Sequence, residues 1–209
     1  MNAYADKSDL QLVALISKAN EQAFAELVHR HTDRFFALAY RTLGNQGDAE
    51  DVVQASFLKL WQRPHLWDPQ KSKYTTWFYR VIINACHDLQ RKYARQHSLE
   101  SSLAEQTIIN IDSEEALIEK RQTQHWRSQC LESGIIALPA SQRDALNLVV
   151  YCEIAQKEAS EIMGIKLKAL ESLLHRAKKN LAKYVEQKVN DRTASSSTLK
   201  EPIKRGAIK

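Results

Sequence analysis

The chain has 209 residues, 44% of them hydrophobic, which is enough for one ordinary domain or two small ones with apolar cores. Its formal charge of +5 and pI near 9.0 permit nucleic-acid binding. No run approaches the roughly 18 apolar residues of a membrane span, and the start, MNAYADKSDLQLV, lacks the basic and apolar regions of a signal peptide. We therefore expect a globular protein of the cytoplasm.

The first part of the chain is predicted to be helical. Five Gly and four Pro leave little material for hairpin turns, and no stretch alternates polar and apolar residues as a strand does, so we expect an all-α fold. Ser8 and Gln11 form a capping-box pattern for a helix over about Asp9–Lys18. Asn20 can cap a second helix that runs to about Leu43.

The segment GDAEDVVQASFLKLWQR, residues 47–63, predicts a helix in which two opposite faces can each make packing contacts. Asp48 can cap its start, Glu50 and Asp51 suit the helix dipole, and Pro64 ends it. The helical period directs one stripe toward a core: Val52, Val53, Ser56, Phe57 and Leu60. The opposite surface carries Asp51, Gln54, Leu58 and Trp61, which indicates a partner.

A loop over Pro64–Tyr74 precedes a long helix from about Thr75, which becomes basic at RKYAR, Arg91–Arg95. From Ser98 to Glu119 the chain carries acidic residues and no Lys or Arg, which is typical of a linker. These changes predict two helical domains joined by a flexible acidic linker. Their expected ranges are 1–96, the linker at 97–113, the second domain at 114–188, and a Ser-rich basic tail expected to be disordered at 189–209.

The second domain contains the spacing of a helix-turn-helix in QKEASEIMGIKLKALESLLHRAKKNL, residues 156–181. Ala159 allows two helices to cross closely, Gly164 provides the turn, and Ile165 fills the corner. After the turn, the residues expected inside are Leu167, Leu170, Leu174, Ala177 and Leu181. The opposite face has the charges of a groove reader, although a solvated helix face is the alternative. It carries Lys168, Glu171, Ser172, His175, Arg176 and Lys179.

No pattern indicates catalysis. The three cysteines, Cys86, Cys130 and Cys152, are far apart in sequence and lie among apolar residues, so we expect buried free thiols. We find no nucleophile paired with a base, no metal-ligand spacing and no phosphate-binding glycine loop. The sequence therefore predicts no enzyme activity, no cofactor and no metal.

Several long motifs in the same order resemble bacterial sigma factors, specifically the small extracytoplasmic-function (ECF, group IV) members of the sigma-70 family. The resemblance covers about Ser8–Arg95 and Leu131–Glu186. Its sharpest parts are AFAELVHRHTDRFFALAYRTLGNQGDAEDVVQASFLKLW, TTWFYRVIINACHDLQRK, and LPASQRDALNLVV followed by the helix-turn-helix. It implies a subunit that binds core RNA polymerase and directs promoter-specific initiation by recognising the -10 and -35 elements.

The resemblance also implies where each partner binds. The helix from Asp48 would meet the clamp helices of the polymerase β′ subunit through Asp48, Asp51, Gln54, Leu58 and Trp61. For Asp51 a capping role is compatible with this, and for Trp61 core packing is an equal alternative. The long helix would bind the -10 element and hold the opened strand through Tyr79, Asn84, Asp88, Arg91 and Lys92, while Trp77 and Phe78 are expected in the core.

The -35 element would be read by the second helix of the helix-turn-helix through Lys166, Lys168, Glu171, Ser172, His175, Arg176 and Lys179. The motif departs from the family pattern at Ala155 and Gln156, which replace the usual Ser or Thr cap, and at Lys166 and Glu171, so the -35 sequence is not predicted. An anti-sigma factor is a further expected partner. Two alternatives are a sigma mimic that binds an anti-sigma factor without reading DNA, and a plain helix-turn-helix repressor.

Overall fold

The computed structural model describes residues 3–100 and 118–198, with side chains described for 3–96, 126 and 128–192. Within these residues the chain is helical and contains no strand, which confirms the predicted all-α class. The first unit consists of α1 (Asp9–Ile16), α2 (Glu21–Leu43), α3 (Gln46–Gln62), a 3-10 turn (Pro64–Leu66) and α4 (Tyr74–Glu100). The second consists of α5 (Ile118–Ile136), α6 (Ala140–Leu146), a π turn (Asn147–Tyr151), α7 (Gln156–Met163) and α8 (Leu167–Thr198).

The first unit packs α2, α3 and α4 around an aromatic centre. The rings of Phe35 and Phe78 lie 4.6 Å apart and those of Phe57 and Phe78 4.8 Å apart. Phe35 and Phe78 are fully buried, as expected for Phe78 from its place on the apolar stripe, while Trp77 is half-buried against the same core. Tilted ring pairs of this kind stabilise a core beyond the apolar area that they bury.

Polar contacts fix the helix ends in the first unit. The predicted capping box is present, because Ser8 N donates to Gln11 Oε1 at 2.9 Å and Gln11 N donates to Ser8 Oγ at 3.3 Å. The predicted cap at Asp48 is wrong. Asn45 caps α3 by accepting from the Asp48 amide at 3.0 Å, so the cap lies three residues earlier and the helix begins at Gln46. Gly44, in the left-handed conformation, ends α2 directly before Asn45, which places Asn45 at the start of α3.

The helix-turn-helix forms as predicted at its turn. Ala159 is fully buried at the helix crossing, and Gly164 adopts φ +66°, the left-handed conformation that glycine accepts without strain. Leu170, Leu174 and Ala177 point inward, but the expectation for Leu167 is wrong. Leu167 is the first residue of α8 and remains 41% exposed, because the helix has not yet reached its packing partners there.

The C-terminal part is more helical than the sequence predicted. We expected disorder from 189, whereas α8 continues to Thr198. The Arg192 guanidinium lies 4.6 Å from the centre of the Trp126 ring in α5, and this contact supports α8 beyond 189. The rest of the predicted tail, 199–209, and most of the predicted linker, 97–113, lie outside the described residues.

The two units pack directly against each other. A single buried cluster joins residues of the first unit to Leu148, Ala159, Ile162 and Leu170 of the second. A smaller cluster of Ile135, Leu138, Leu146 and Ala177 holds the second unit together. All three cysteines are free, with Cys86 and Cys130 buried and Cys152 half-buried, as expected.

Candidate functional site

A groove between α2 and α3 forms the first candidate surface. It has a volume of about 840 Å³, and apolar side chains of both helices make its floor, including Phe24, Val28 and Phe36 from α2. Asp51, Gln54 and Leu58 line its α3 side and are exposed, Leu58 to 51%. We call this surface the docking groove. It combines apolar area with carboxylates at the rim, which is the chemistry that receives a basic amphipathic helix.

The other two residues predicted for polymerase binding are engaged within the chain. Asp48 is half-buried, and its Oδ1 accepts from the Tyr93 hydroxyl at 2.7 Å, which raises the pKa of Tyr93. Trp61 is half-buried and its ring centre lies 5.1 Å from that of Phe24. The structure therefore brings Asp51, Gln54 and Leu58 together in the docking groove, whereas Asp48 positions α4 and Trp61 supports the groove from within.

The outer face of α4 is the second candidate surface. Asn84, Asp88, Arg91 and Lys92 are exposed there. Arg91 Nη2 donates to Asp88 Oδ1, and both side chains are 70% exposed. This pair leaves the guanidinium available to a phosphate at little cost, because ion pairs in water are weak. The face offers an amide and cations along one side of a helix.

Tyr79 does not lie on that face. It is 5% exposed, its ring packs edge-on against Phe35 at 5.1 Å, and the second unit covers it near Cys152. Burial raises the pKa of Tyr79 well above its usual value. Its predicted contact with DNA is therefore closed off in this arrangement of the two units.

The recognition face of α8 is the third candidate surface. Lys168, Glu171, His175, Arg176 and Lys179 are exposed on one side of the helix, and Ser172 is half-buried beside them. Lys166 is exposed in the turn that precedes α8. The buried residues of α8 face inward on the opposite side, so the helix presents its charges to solvent as a groove reader requires.

The sequence did not reveal several residues that join the two units. Arg80 of α4 donates from Nε to the Ile162 carbonyl at 3.0 Å and from Nη2 to the Glu161 carbonyl, at the C-terminal end of α7. Thr76 donates to Glu158 at 2.5 Å. The partners in these hydrogen bonds are 81 or 82 residues apart in the sequence, and no local sequence pattern indicates that they pair.

His87 and Asp144 form a further contact between the units. His87 Nε2 lies 2.9 Å from Asp144 Oδ2, and Asp144 is 2% exposed. The contact is an ion pair when the imidazole is protonated, because the carboxylate is then its counter-charge. The Asp144 carboxylate raises the pKa of His87 above its ordinary value, and this effect outweighs burial, which lowers it.

The described residues contain no cluster of His, Cys, Asp and Glu that could hold a metal ion. Within the same residues, no helix is long and apolar enough to cross a membrane.

Two family descriptions match the chain in the order of the two units. Residues 27–96 match sigma-70 region 2, and residues 128–181 match sigma-70 region 4. The first range contains the α3 side of the docking groove, with Asp51, Gln54 and Leu58, and the outer face of α4. The second contains the helix-turn-helix.

Relatives with established names match along most of the chain. The ECF RNA polymerase sigma factor SigW of Bacillus subtilis is 27% identical over 174 residues, 81% of this chain and 92% of SigW. The ECF RNA polymerase sigma factor SigM of the same organism is 30% identical over 143 residues, 68% of this chain and 83% of SigM.

Solved structures share the fold. The structure of CnrH in complex with the cytosolic domain of CnrY superposes with a TM-score of 0.61 at 24% identity, covering 87% of this chain and 99% of CnrH. The sigma factor RpoE in complex with the anti-sigma factor NepR from Bartonella quintana gives a TM-score of 0.62 at 20% identity, covering 78% and 96%. From the two matched regions and the identity to SigM, this chain belongs to the ECF sigma factors of the sigma-70 family.

Proposed function

We propose that this chain is a group IV sigma factor that binds core RNA polymerase and directs promoter-specific transcription initiation. The observation that carries the proposal is the placement of three exposed surfaces on the two matched sigma-70 regions: the docking groove and the outer face of α4 on region 2, and the recognition face of α8 on region 4. Each surface has the chemistry that its partner requires.

The docking groove would receive the clamp helices of the β′ subunit. Asp51 and Gln54 supply polar contacts at the rim, and Leu58 supplies an exposed apolar anchor at its side. An anchor of this kind gains the most when it leaves water on binding, so it is expected to dominate the affinity. Asp48 and Trp61 would act indirectly by holding the groove in shape.

The DNA contacts would be divided between the units. Asn84, Arg91 and Lys92 on the outer face of α4 would contact the -10 element, with Asp88 orienting Arg91. On the recognition face, Lys168, Arg176 and Lys179 would contact phosphates, and Ser172, His175 and Glu171 would approach base edges. Lys166 would add a phosphate contact from the turn.

An anti-sigma factor is a further proposed partner, in line with the RpoE relative that was solved with one. Action on polymerase would place the chain in the cytoplasm, and the proposal assigns it neither a catalytic step nor a cofactor.

Transcription in vitro tests the proposal. Purified chain is added to core polymerase on DNA fragments from its native genome, and initiation sites are mapped against a reaction with core polymerase alone. A sigma factor gives discrete new start sites. A sigma mimic or a helix-turn-helix repressor gives none, and that result would overturn the proposal.

A further inference from the structure

The basic end of α4 extends beyond the core of the first unit. Among the side chains of α4 that the structure describes, Leu89 is the last one packed against the buried cluster, and residues 91–96 are all exposed. This end carries three cations, Arg91, Lys92 and Arg95. Because apolar burial stops at Leu89, it does not fix the direction in which these cations point.

Two hydrogen bonds tie this end of α4 to the segment that joins α2 and α3. Gln90 Nε2 donates to the Thr42 carbonyl at 3.1 Å, near the end of α2. The Tyr93 hydroxyl donates to Asp48 Oδ1 at 2.7 Å, in the first turn of α3. Gln90 and Tyr93 are three positions apart, so they lie on the same side of α4. Of the two ties, Tyr93 is the one nearer to the end of the helix.

Tyr93 holds α4 from the side opposite to its outer face. At about 100° per residue, Tyr93 lies about 180° around the helix from Asn84 and about 200° from Arg91. Its side chain therefore points away from a strand that lies across the outer face. What Tyr93 controls is the direction of that face.

The acceptor of the Tyr93 bond is suited to this role. Asp48 lies in the first turn of α3, where the helix dipole favours a carboxylate. A hydrogen bond to a carboxylate is stronger than one between neutral groups, and this bond raises the pKa of Tyr93, so the phenol remains a donor. Asp51 of the docking groove lies on the same helix, three positions further on. The helix proposed to meet polymerase thus also holds the end of α4 that is proposed to meet DNA.

A small bend in α4 is enough to disturb contacts made by its basic end. Arg95 lies five positions beyond Gln90, or about 7.5 Å at about 1.5 Å per residue, so a bend of about 10° at Gln90 moves the Arg95 backbone by about 1.3 Å. Groups of a binding site must be held within roughly 0.5 Å of their working positions. One hydrogen bond at Tyr93 can therefore determine whether these cations meet the phosphates of the promoter.

We propose that Tyr93 is a positioning residue for -10 recognition, which through Asp48 holds the basic end of α4 at a fixed place relative to α3. The proposal rests on the proposed sigma function and deepens it. Polymerase would dock on α3 and the promoter would lie against α4, so the bond sets the angle between the two partners. Loss of the Tyr93 hydroxyl should lower discrimination between -10 sequences, whereas the affinity for polymerase depends on the docking groove and should remain.

Discrimination is measured with holoenzyme assembled from core polymerase and a saturating amount of the full chain. The probes are a fluorescein-labelled promoter fragment with a mapped start site and the same fragment with a scrambled -10 element. Discrimination is the dissociation constant of the scrambled fragment divided by that of the promoter fragment. Tyr93→Phe removes only the hydroxyl and should lower this ratio about three-fold to ten-fold, as expected from one hydrogen bond. Its affinity for core polymerase and its melting temperature should be nearly unchanged.

Changes at Asp48 separate positioning from direct contact with DNA. Asp48→Ala should lower discrimination to the same extent as Tyr93→Phe, and the double variant should lower it no further, because both changes remove one interaction. Asp48→Asn keeps an oxygen that accepts from the Tyr93 hydroxyl and should retain most of the discrimination. If Asp48→Ala reduces helicity, Asp48→Ser replaces it, since serine suits a helix start and its side chain is one bond shorter.

Matched controls make the same chemical changes elsewhere in the chain. Tyr184→Phe removes a hydroxyl from α8 on the side that faces Gly134 of α5, away from the recognition face. Asp6→Ala removes an exposed carboxylate before α1. Neither control should change discrimination.

Four results would overturn the proposal: full discrimination in Tyr93→Phe, losses that add in the double variant, an equal loss from a control, or a fall in the core affinity of Tyr93→Phe that matches its loss in DNA binding. None of them bears on the proposed sigma function, because start-site mapping with the unaltered chain and core polymerase tests that function separately.

Discussion

Asp9 ties the first helix to the rest of the first unit. Its Oδ1 accepts from Arg30 Nη1 at 3.0 Å and its Oδ2 lies 3.0 Å from His31 Nε2, while Arg30 also binds Glu26. Burial would raise the pKa of Asp9, but the hydrogen bonds and charges of His31 and Arg30 outweigh burial and lower it. The carboxylate form is thus favoured in the folded chain.

We predict that Asp9→Asn lowers the free energy of unfolding by about 1–3 kcal/mol, as expected when a charged hydrogen bond is lost. Because the pKa of Asp9 is lowered on folding, its stabilisation is present above the ordinary carboxyl pKa of about 3.9 and is lost as pH falls through the folded value. Urea unfolding at pH 7 and at pH 3 measures both effects. The control Asp6→Asn, at an exposed position, should change little, and equal losses at the two sites would contradict the assignment.

Asp51 is predicted to contribute to polymerase binding and not to the stability of the fold. Asp51→Lys should weaken binding to core polymerase at least about ten-fold, because it places a like charge before a basic partner, while thermal unfolding stays nearly unchanged at this exposed site. Glu186→Lys makes the same charge change on α8, far from the docking groove, and should leave binding intact. If Asp51→Lys also lowered the melting temperature, the loss of binding would instead reflect a structural role for Asp51.

Among the elements, substitutions on α4 and substitutions on α8 should impair different steps of promoter recognition. Arg176→Glu or Lys168→Glu should weaken -35 binding and reduce the salt slope by about one unit per lost phosphate contact. Asn84→Ala or Arg91→Ala should impair -10 recognition or opening, and a template already unpaired at -10 should restore much of any opening defect. Filter binding across salt and single-round transcription on both templates measure these effects. Equal rescue of the α8 variants by the unpaired template would refute the division.

How far the sequence predicts each element depends on how local its cause is. The turn of the helix-turn-helix was predictable because Gly164 and Ala159 act within a few residues, and the exposed faces of α4 and α8 follow from helical periodicity. The start of α3 was missed because Asn45 and Asp48 are both good caps, and the choice depends on where α2 ends. The floor of the docking groove was also missed, since it requires two helices at once.

At the scale of the whole molecule, the packing of the two units against each other could not be predicted from the sequence. The pairs Thr76 with Glu158 and His87 with Asp144 join residues that no local pattern relates, and Tyr79 looked like an open DNA contact because its cover comes from the other unit. Docking of two helical units is set by three-dimensional complementarity, which a one-dimensional pattern does not record.

The same packing should depend on pH. The carboxylate of Asp144 raises the pKa of His87, while burial and the charges of Arg143 and Arg91 oppose it. Because the pKa of His87 is raised while the two units are packed together, protonated His87 stabilises this packing. The stabilisation is fully present below the pKa of about 6.5 that His87 has when the units are separated, and it is lost as pH rises through the raised pKa. The radius of gyration from scattering should therefore be smaller at pH 6 than at pH 8.5, and His87→Gln should reduce the difference. An unchanged radius in the original chain would contradict this.

The most direct measurement of the central claim is run-off transcription from a cognate promoter by two variants beside the original chain. One carries Lys168→Glu, Arg176→Glu, Asn84→Ala and Arg91→Ala together, and the other carries Asp51→Lys. The account predicts that the first variant still binds core polymerase but gives almost no specific transcript, and that the second gives little because it does not dock. If the four substitutions leave the transcript intact while Asp51→Lys removes it, the chain docks on polymerase without reading DNA through α4 and α8.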